Sequence, residues 1–305
     1  VEEALGDLDR DGALRVAYED AVEGRTGIEC FDAWARELVE TGYLHNHARM
    51  WTASIWIFTL GLPWQLGADW FHRHLLDGDP ASNTLSWRWV GGLHTRGKTY
   101  LARASNIAKF TEGRFHPGHA LSNAAEPLEE EAEHPRLPPP VGDRVPEGAR
   151  FGLLVTEEDG SPETLPLPHA PAALLGLTGV EARSPLPVGD HARAFTEGAV
   201  RDALSRGSEA YGLDAGEPEA PEDWAARLIG WARAVGLDTI VTAYPPQGPV
   251  ADKLAGAAPT LDREGVSLVR ILRPYDAAVW PHATAGFFKV KKQIPRILGD
   301  LGLQS

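Results

Sequence analysis

The densest group of chemically capable side chains lies between Trp34 and Trp89. Seven of the ten tryptophans fall in this stretch, together with the only methionine, Met50, a His-Asn-His cluster at 45–47 and two acids that flank one glycine at 77–79. Flat rings and polar groups at this concentration make a poor ordinary core, because each buried polar group needs a partner. They are well suited to enclosing a large, flat ligand with polar edges.

Four helices are predicted to position these side chains. Apolar residues recur at helical spacing over 29–39, 46–60 and 65–76. The third helix breaks at Asp77-Gly78-Asp79-Pro80, where Asp79 suits the N-cap and Pro80 the first turn of a fourth helix. One side of that fourth helix would carry Asn83, Trp87 and Val90.

Arg49 and Asp77 are candidates for a buried ion pair beside these rings. An unpaired charge there would cost roughly several kcal/mol, so pairing is expected if both side chains face inward. The amide of Asn83 could then donate or accept a hydrogen bond between the helices.

Several ordered motifs resemble a known family. The sequences EGRTG at 23–27, TGYLHNHARM at 41–50, DGDPASN at 77–83, the following W-x-W and GLHTRGKTYLARASNIAKFTEGRF at 92–115 occur in this order. Together they resemble the flavin-binding domain of DNA photolyases and cryptochromes, over about Ala17 to Phe115. The resemblance implies a helical domain with FAD as its cofactor.

The resemblance also assigns roles to particular residues. Positions that contact FAD in the family correspond here to Asn46, Arg49, Asp77, Asp79 and Asn83. Among these, Arg49 and Asp77 match the ion pair beside the isoalloxazine, and Asn83 matches the residue that faces flavin N5. The two inner members of the family's electron-transferring tryptophan chain correspond to Trp87 and Trp64. The pocket for a flipped pyrimidine dimer corresponds to Tyr43, Met50 and Trp89.

Two departures from the family pattern stand out. The outermost tryptophan of the electron-transfer chain would fall near Asp11, where there is none, so Trp51, Trp56 or Trp70 would have to substitute. The family's Ser/Thr-rich loop that holds the FAD phosphates lies well upstream of EGRTG, and residues 1–20 cannot supply it. The chain also starts with Val1. We therefore expect an amino-terminal part to be missing, and this chain alone to bind FAD weakly.

The second half of the chain has a different pattern. Residues 117–150 are rich in proline and acid, which predicts a linker. Beyond it, strands are predicted at 151–155, 237–244 and 266–272, and helices at 197–207, 222–235 and 250–257; residues 172–177 fit either a strand or a short helix. Alternating strands and helices predict a parallel sheet covered on both faces.

This half resembles the α/β antenna domain of the same family, in DTIVTAYPP, VSLVRIL and WPHATAGFFKVKKQIP. The expected fold class is therefore multidomain. It comprises a partial all-α FAD-binding photolyase-like domain at 1–116, a linker at 117–150 and an α/β antenna-like domain at 151–305. This order is the reverse of the usual one in photolyases. The sequence identifies no antenna chromophore.

The composition limits the classes of protein to which the chain can belong. The 305 residues contain 43% hydrophobic residues, enough for globular cores, and one cysteine, which suits a reducing cytoplasm. No apolar run predicts a membrane span and no signal peptide is evident. Four histidines are candidate zinc ligands: His45, His47, His72 and His74. A zinc site is disfavoured, because His72 and His74 point to different sides of one helix and are poor joint ligands for the same ion. Nothing in the sequence indicates an oligomeric state.

The distribution of charge bears on whether the chain binds nucleic acid. The net charge of −14 argues mildly against nucleic acid binding, yet residues 43–116 hold eight Lys/Arg and four Asp/Glu, a local balance of +4. Two function classes follow from the resemblance. One is FAD-dependent, light-driven repair of pyrimidine dimers in damaged DNA, a carbon–carbon lyase reaction. The alternative is a cryptochrome-type blue-light receptor without repair activity. Met50 and the Asn46 region favour repair, while the overall charge favours the receptor.

Overall fold

The computed structural model describes residues 1–303. The chain divides into two units, and the first is not continuous in sequence. It comprises Val1–Ala132 together with Val180–Thr196, whereas the second comprises Glu133–Gly179 and the residues from Glu197 onwards. The first unit therefore extends beyond residue 116, where the sequence predicted its end, and includes a segment from the predicted α/β domain.

The first unit is helical. Its helices are α1 (Glu2–Arg10), α2 (Gly12–Val22), α3 (Glu29–Thr41), α4 (Asn46–Ser54), α5 (Trp64–His74), α6 (Pro80–Val90) and α7 (Ala104–Phe110). A π-helical turn, Ile55–Thr59, continues α4, so the helix predicted over 46–60 is confirmed with a change of pitch near its end. The helices predicted over 29–39 and 65–76 are confirmed as α3 and α5.

The first 23 residues are rich in acid, yet they form α1 and α2. Ala4 and Leu8 are buried one helical turn apart, while the acids of α1 face solvent. The phenol of Tyr18 in α2 accepts a hydrogen bond from Arg73 Nη2 at 3.2 Å, and Arg73 also pairs with the buried Asp69 at 2.9 Å. This amphipathic spacing packs the segment onto α5 despite its acidic composition.

Left-handed glycines end two of the helices. Gly42 (φ 67°) closes α3 with its N–H bonded to Leu38 O, and Gly61 (φ 66°) follows the π-helical turn. A side chain at position 42 would also collide with Leu76, since its Cβ would lie 2.7 Å from Leu76 Cγ. Both helices therefore end where glycine adopts a conformation that other residues rarely adopt.

The loop formed by the EGRTG motif is held by one carboxylate. Asp32, which is buried on α3, accepts hydrogen bonds from Thr26 N (2.9 Å), Thr26 Oγ1 (2.6 Å) and Gly27 N (3.0 Å). Gly24 (φ 65°) lets the chain pass close to this helix, because a Cβ there would lie 2.7 Å from Asp32 O. The motif therefore serves to anchor the α2–α3 connection.

The first part of the predicted linker also belongs to the helical unit. Leu121 is buried in its core, and Leu128 N donates to Gly91 O at 2.9 Å. Glu130 forms a two-pronged ion pair with Arg88. Leu128 and Glu130 therefore attach this segment to the end of α6, while Leu121 joins the core of the unit.

The second unit is an α/β structure. Its strands are β1 (Gly152–Val155), β2 (Ala173–Gly176), β3 (Thr239–Ala243) and β4 (Ser267–Ile271). Helix α8 (Asp190–Tyr211) belongs to this unit from residue 197 onwards. The helices that follow are α9 (Trp224–Val235), α10 (Pro249–Arg263), α11 (Pro274–Val279), α12 (Phe288–Lys291) and α13 (Ile294–Asp300). All pairings are parallel, in the order β2-β1-β3-β4, with Leu153 opposite both Leu174 and Val241.

Both faces of the sheet are covered, as the alternating pattern predicted. Leu154 and Ile240 pack against α9 and α10, which contribute Leu228 and Leu254 among others. On the opposite face, alternate strand residues pack against α8; this cluster includes Leu153, Val155, Val241, Val269, Val200 and Leu204. Residues 172–177, which fitted either a strand or a helix, form β2.

No helix within residues 1–303 is long and apolar enough to span a bilayer.

Replacing Asp32 with alanine is expected to lower the free energy of unfolding by about 2–4 kcal/mol, because two backbone N–H groups lose their acceptor in a partly buried loop. Asp32→Asn keeps one acceptor oxygen and should lose less. Urea unfolding of both variants measures the difference. Equal stability of Asp32→Ala and the wild type would show that the carboxylate does not hold this loop.

His74 predicts a pH dependence of stability. Burial, and secondly the charge of Arg73, lower the pKa of His74 to about 4, from 6.5. As the pH falls from 6.5 towards 4, the unfolded state takes up a proton that the folded state resists, so this contribution is lost on acidification. His74→Gln should lower the slope of unfolding free energy against pH in this window by up to about 1.4 kcal/mol per pH unit. Urea unfolding between pH 6.5 and 4.5 tests this, with the exposed His119→Gln as control; identical slopes in all three proteins would contradict it.

Candidate functional site

The helical unit contains a cavity of about 360 Å³ bounded by α4, α5, α6 and the turn between α5 and α6. Eight of the ten residues predicted for the site line it: Asn46, Arg49, Met50, Asp77, Asp79, Asn83, Trp87 and Trp89. The other two, Tyr43 and Trp64, lie outside its lining. Three elements thus bring together residues that are up to 43 positions apart in the sequence.

Arg49 and Asp77 form the predicted ion pair. Arg49 Nη2 lies 3.0 Å and 3.1 Å from the two carboxylate oxygens of Asp77, and Arg49 Nε donates to Leu44 O at 2.8 Å. The sequence predicted a buried pair, and this was wrong. The Asp77 side chain is 64% exposed on the open wall of the cavity. Tyr43 contributes from outside, with its ring centroid 5.8 Å from Arg49 Cζ.

Asp79 has two roles. Its Oδ1 accepts from Ser82 N at 2.6 Å, which makes it the predicted N-cap of α6, with Pro80 in the first turn. It also lines the cavity, directly after Gly78 and Asp77. The cap therefore fixes one of the two carboxylates that line the cavity.

Asn83 connects α6 to α5. Its Nδ2 donates to Ala68 O at 2.7 Å, and because a carbonyl can only accept, this bond fixes the orientation of the amide. The Oδ1 atom is then the acceptor that remains for a ligand. Asn83 is not part of the cap hydrogen bond, so its side chain is not explained by the start of the helix.

Met50 and Trp89 form apolar parts of the lining. Met50 Sδ lies 3.8 Å from Asn46 Nδ2 on the same helix face. Trp89 is 39% exposed and stacks on Tyr100, with ring centroids 5.4 Å apart and planes 28° from parallel. A half-exposed, stacked indole offers a flat apolar surface to a second ring.

Trp87 forms the inner wall. It is fully buried and makes edge contacts with Trp56 at 6.1 Å and Phe71 at 5.1 Å between ring centroids. Gly67 of α5 is required here, since a Cβ would lie 2.3 Å from the Trp87 ring. The indole N–H of Trp87 is buried and has no hydrogen-bond partner in the described chain.

Three further tryptophans, Trp56, Trp70 and Trp64, lie in two different environments. Trp56 stacks on Trp70, with centroids 5.7 Å apart and an interplanar angle of 17°, so these two rings extend the contact that begins at Trp87. Trp64 is half-buried, and Arg88 Cζ lies 5.8 Å from its ring centroid. The predicted electron-transfer role of Trp64 stays a prediction.

The lining also includes Val90, which the sequence placed beside Asn83 and Trp87, and residues that it did not select: Ala53, Phe71, Leu75, Gly78, Ser82 and Ser86. Helical periodicity could have identified some of them. Ala53 follows Asn46 and Met50 at helical spacing, and Ser86 and Val90 continue the side that carries Asn83. Phe71 carries no polar group, and only its packing reveals its place.

The lining fits an isoalloxazine ring system. The lining combines an apolar wall of aromatic rings, the amide of Asn83 and a cation–carboxylate pair. This combination suits a flat molecule with polar edges. All five residues that the resemblance assigns to FAD line this cavity: Asn46, Arg49, Asp77, Asp79 and Asn83.

A cavity of the second unit is much smaller. A cavity between the carboxyl ends of β1 and β3, where ligands commonly bind in parallel sheets, measures about 10 Å³. It is lined by Thr156, Asp159 and Thr242 among others, and this volume admits about one water molecule. An antenna chromophore has no room in this cavity.

Residues 9–117 match the family model described as the FAD binding domain of DNA photolyase. No solved structure is significantly similar to the chain.

Curated relatives match a shorter part. The mitochondrial deoxyribodipyrimidine photo-lyase of Saccharomyces cerevisiae is 46% identical over 72 residues, 24% of this chain and 13% of that protein. A deoxyribodipyrimidine photo-lyase of Thermus thermophilus is 49% identical over 71 residues, 23% of this chain and 17% of that protein. Cryptochrome DASH of Oryza sativa is 39% identical over 84 residues, 28% of this chain and 14% of that protein.

The chain thus spans less than one fifth of the length of each of these relatives. The match supports FAD as the cofactor. Residues 9–117 are therefore similar to the FAD-binding domain of DNA photolyases, and the relatives that match carry both photolyase and cryptochrome names.

Proposed function

We propose that this chain takes part in FAD-dependent, light-driven repair of pyrimidine dimers in DNA, as a deoxyribodipyrimidine photo-lyase. The observation that carries the proposal is a single cavity lined both by Arg49, Asp77 and Asn83 and by Met50 and Trp89. The first three suit the polar edge of a flavin. The last two suit an apolar, flat substrate beside it.

Bound FAD supplies light absorption and one-electron chemistry. The protein's part is to orient the ring and to limit water. Arg49 is held by Leu44 O and Asp77, so its charge stays fixed at the cavity wall. Asn83 Oδ1 presents an acceptor in a fixed orientation because the amide nitrogen is bonded to Ala68. Trp87, with Trp64, is proposed to conduct electrons between the cavity and the protein surface.

The proposed substrate is a pyrimidine dimer flipped out of the duplex. A damaged base stacks weakly, which lowers the cost of extrusion. Trp89, Met50 and Tyr43 would contact it through ring faces and a thioether, and Tyr43 is 52% exposed. The local excess of Lys/Arg over 43–116 would contact backbone phosphates.

The alternative is a blue-light receptor that uses the same flavin and repairs nothing. Relatives named cryptochrome DASH and the net charge of −14 favour it. The single cysteine suits a reducing compartment, and we propose the cytoplasm for either activity.

The decisive experiment illuminates the purified full chain, loaded with FAD and supplied with a thiol as electron donor to reduce the flavin, together with an oligonucleotide containing one thymine dimer. We expect a flavin absorbance spectrum and light-dependent restoration of thymines, with no restoration in the dark. Trp89→Ala should bind FAD as the wild type does, yet lose most repair, because the flat surface for the base is removed.

A protein that gains no flavin spectrum at saturating FAD would overturn the proposal as a whole. A photoreducible flavin without repair would instead assign the chain to the light receptors.

Asn83 gives a sharper prediction about the cofactor. An aspartate at this position faces Ala68 O, which repels a carboxylate and favours the protonated carboxyl. This acid can supply a proton that an amide cannot. We therefore expect Asn83→Asp to shift the photoreduced flavin towards its protonated, blue-coloured form, measured as new absorbance at long wavelength after illumination.

Asn106→Asp, an exposed change on α7, serves as the matched control and should leave the spectrum unaltered. If Asn83 only joins α6 to α5, Asn83→Asp will lower the stability and leave the illuminated spectrum unchanged.

A further inference from the structure

The last turn of α5 is closed by residues from a distant part of the chain. The final carbonyls of a helix lack partners within the helix. Here Arg183 Nη1 donates to Leu75 O at 3.0 Å and to His72 O at 3.3 Å, and Gly189 N donates to Arg73 O at 2.9 Å. Arg183 lies 108 positions after Leu75 in the sequence.

The same guanidinium packs against the turn that carries the two cavity carboxylates. A Cβ placed on Gly78 would lie 3.0 Å from Arg183 Nη1, so the guanidinium covers the glycine between Asp77 and Asp79. Its charge is favourable at a helix C-terminus. It is equally favourable beside a turn that holds two acids.

Two backbone hydrogen bonds also hold this turn. Leu76 N donates to Gly42 O at 3.0 Å, and Gly78 N donates to Leu75 O at 3.2 Å. The carbonyl of Leu75 is therefore shared by Gly78 and Arg183. Loss of the guanidinium would remove a donor from the point where the helix ends and the turn begins.

Arg183 is itself held in place. Its carbonyl bonds to His72 Nδ1 at 3.3 Å, and its Nη2 lies 3.5 Å from the buried Thr196 Oγ1. Val180, Val188 and Ala192 form a small buried cluster that anchors the surrounding segment. A side chain fixed at both ends can impose a geometry on the turn it contacts.

We propose that Arg183 is a positioning residue for the flavin cavity. It fixes the turn 75–79, so that Asp77 meets Arg49 and Asp79 faces the ligand, and it thereby raises the affinity for FAD. The affinity part of this proposal rests on the proposed FAD binding, whereas the ordering of the turn does not. If the turn is correctly formed only about one tenth of the time, the apparent Kd for FAD rises about ten-fold.

The test compares Arg183→Met, Arg183→Lys and the matched control Arg193→Met in the full chain. Arg193 lies on the same segment, but it pairs with Glu181 and Asp190 and forms no hydrogen bond or ion pair with the turn among the described residues. Two measurements are made. Amide hydrogen exchange of a peptide covering 75–83 is followed in flavin-free protein, and FAD binding is titrated by flavin fluorescence.

We expect Arg183→Met to exchange about ten-fold faster in this peptide and to bind FAD about ten-fold more weakly, with peptides of α3 unchanged. Arg183→Lys should recover part of both properties, because an ammonium can still reach one carbonyl. Arg193→Met should match the wild type in both.

Unchanged exchange in Arg183→Met overturns the proposal, as does faster exchange with unaltered FAD affinity. A uniform acceleration over all peptides, not relieved in Arg183→Lys, would assign Arg183 a general structural role and likewise overturn it. A wild-type chain that fails to bind FAD removes the proposed function, and the exchange measurement then decides the ordering of the turn alone.

Discussion

The close packing of α6 on α5 determines the geometry of the whole candidate site. Trp87 lies on Gly67 at a distance that excludes any side chain larger than hydrogen, and Asn83 bonds to the backbone of α5 at Ala68. These two contacts set the separation of the helices and thus the width of the cavity. The short turn 75–79 must then bridge them, which brings its carboxylates to the cavity wall.

The aromatic residues satisfy two requirements at once. Trp34 stacks on Trp51, and Trp56 on Trp70, so that most of the rings pack against one another as an ordinary core would. Trp89 differs because one of its faces is left to solvent beside the cavity. The same concentration of tryptophan therefore builds a rigid core and leaves selected rings to meet a ligand.

Distant segments complete the helical unit because helix ends and loops leave polar groups that need partners. The carbonyls of α5 are met by Arg183 and Gly189, the carbonyl of Gly91 by Leu128, and the guanidinium of Arg88 by Glu130. Each contact gives a backbone or charged group the partner that it needs. Segments that look like linkers by composition can thus be integral to a folded unit.

The sequence alone determined the local structure, since helical spacing, glycine stops and the Asp79 cap act within a few residues. The helices α3 to α6, the parallel sheet with both faces covered, the Arg49–Asp77 pair and the cavity position of Asn83 were all predictable from motifs and periodicity. Only the tertiary structure decided the exposure of Asp77, the contacts of Trp56 and the return of residues 180–196 to the helical unit. These features depend on contacts between residues far apart in the chain, which leave no periodic signal in the sequence.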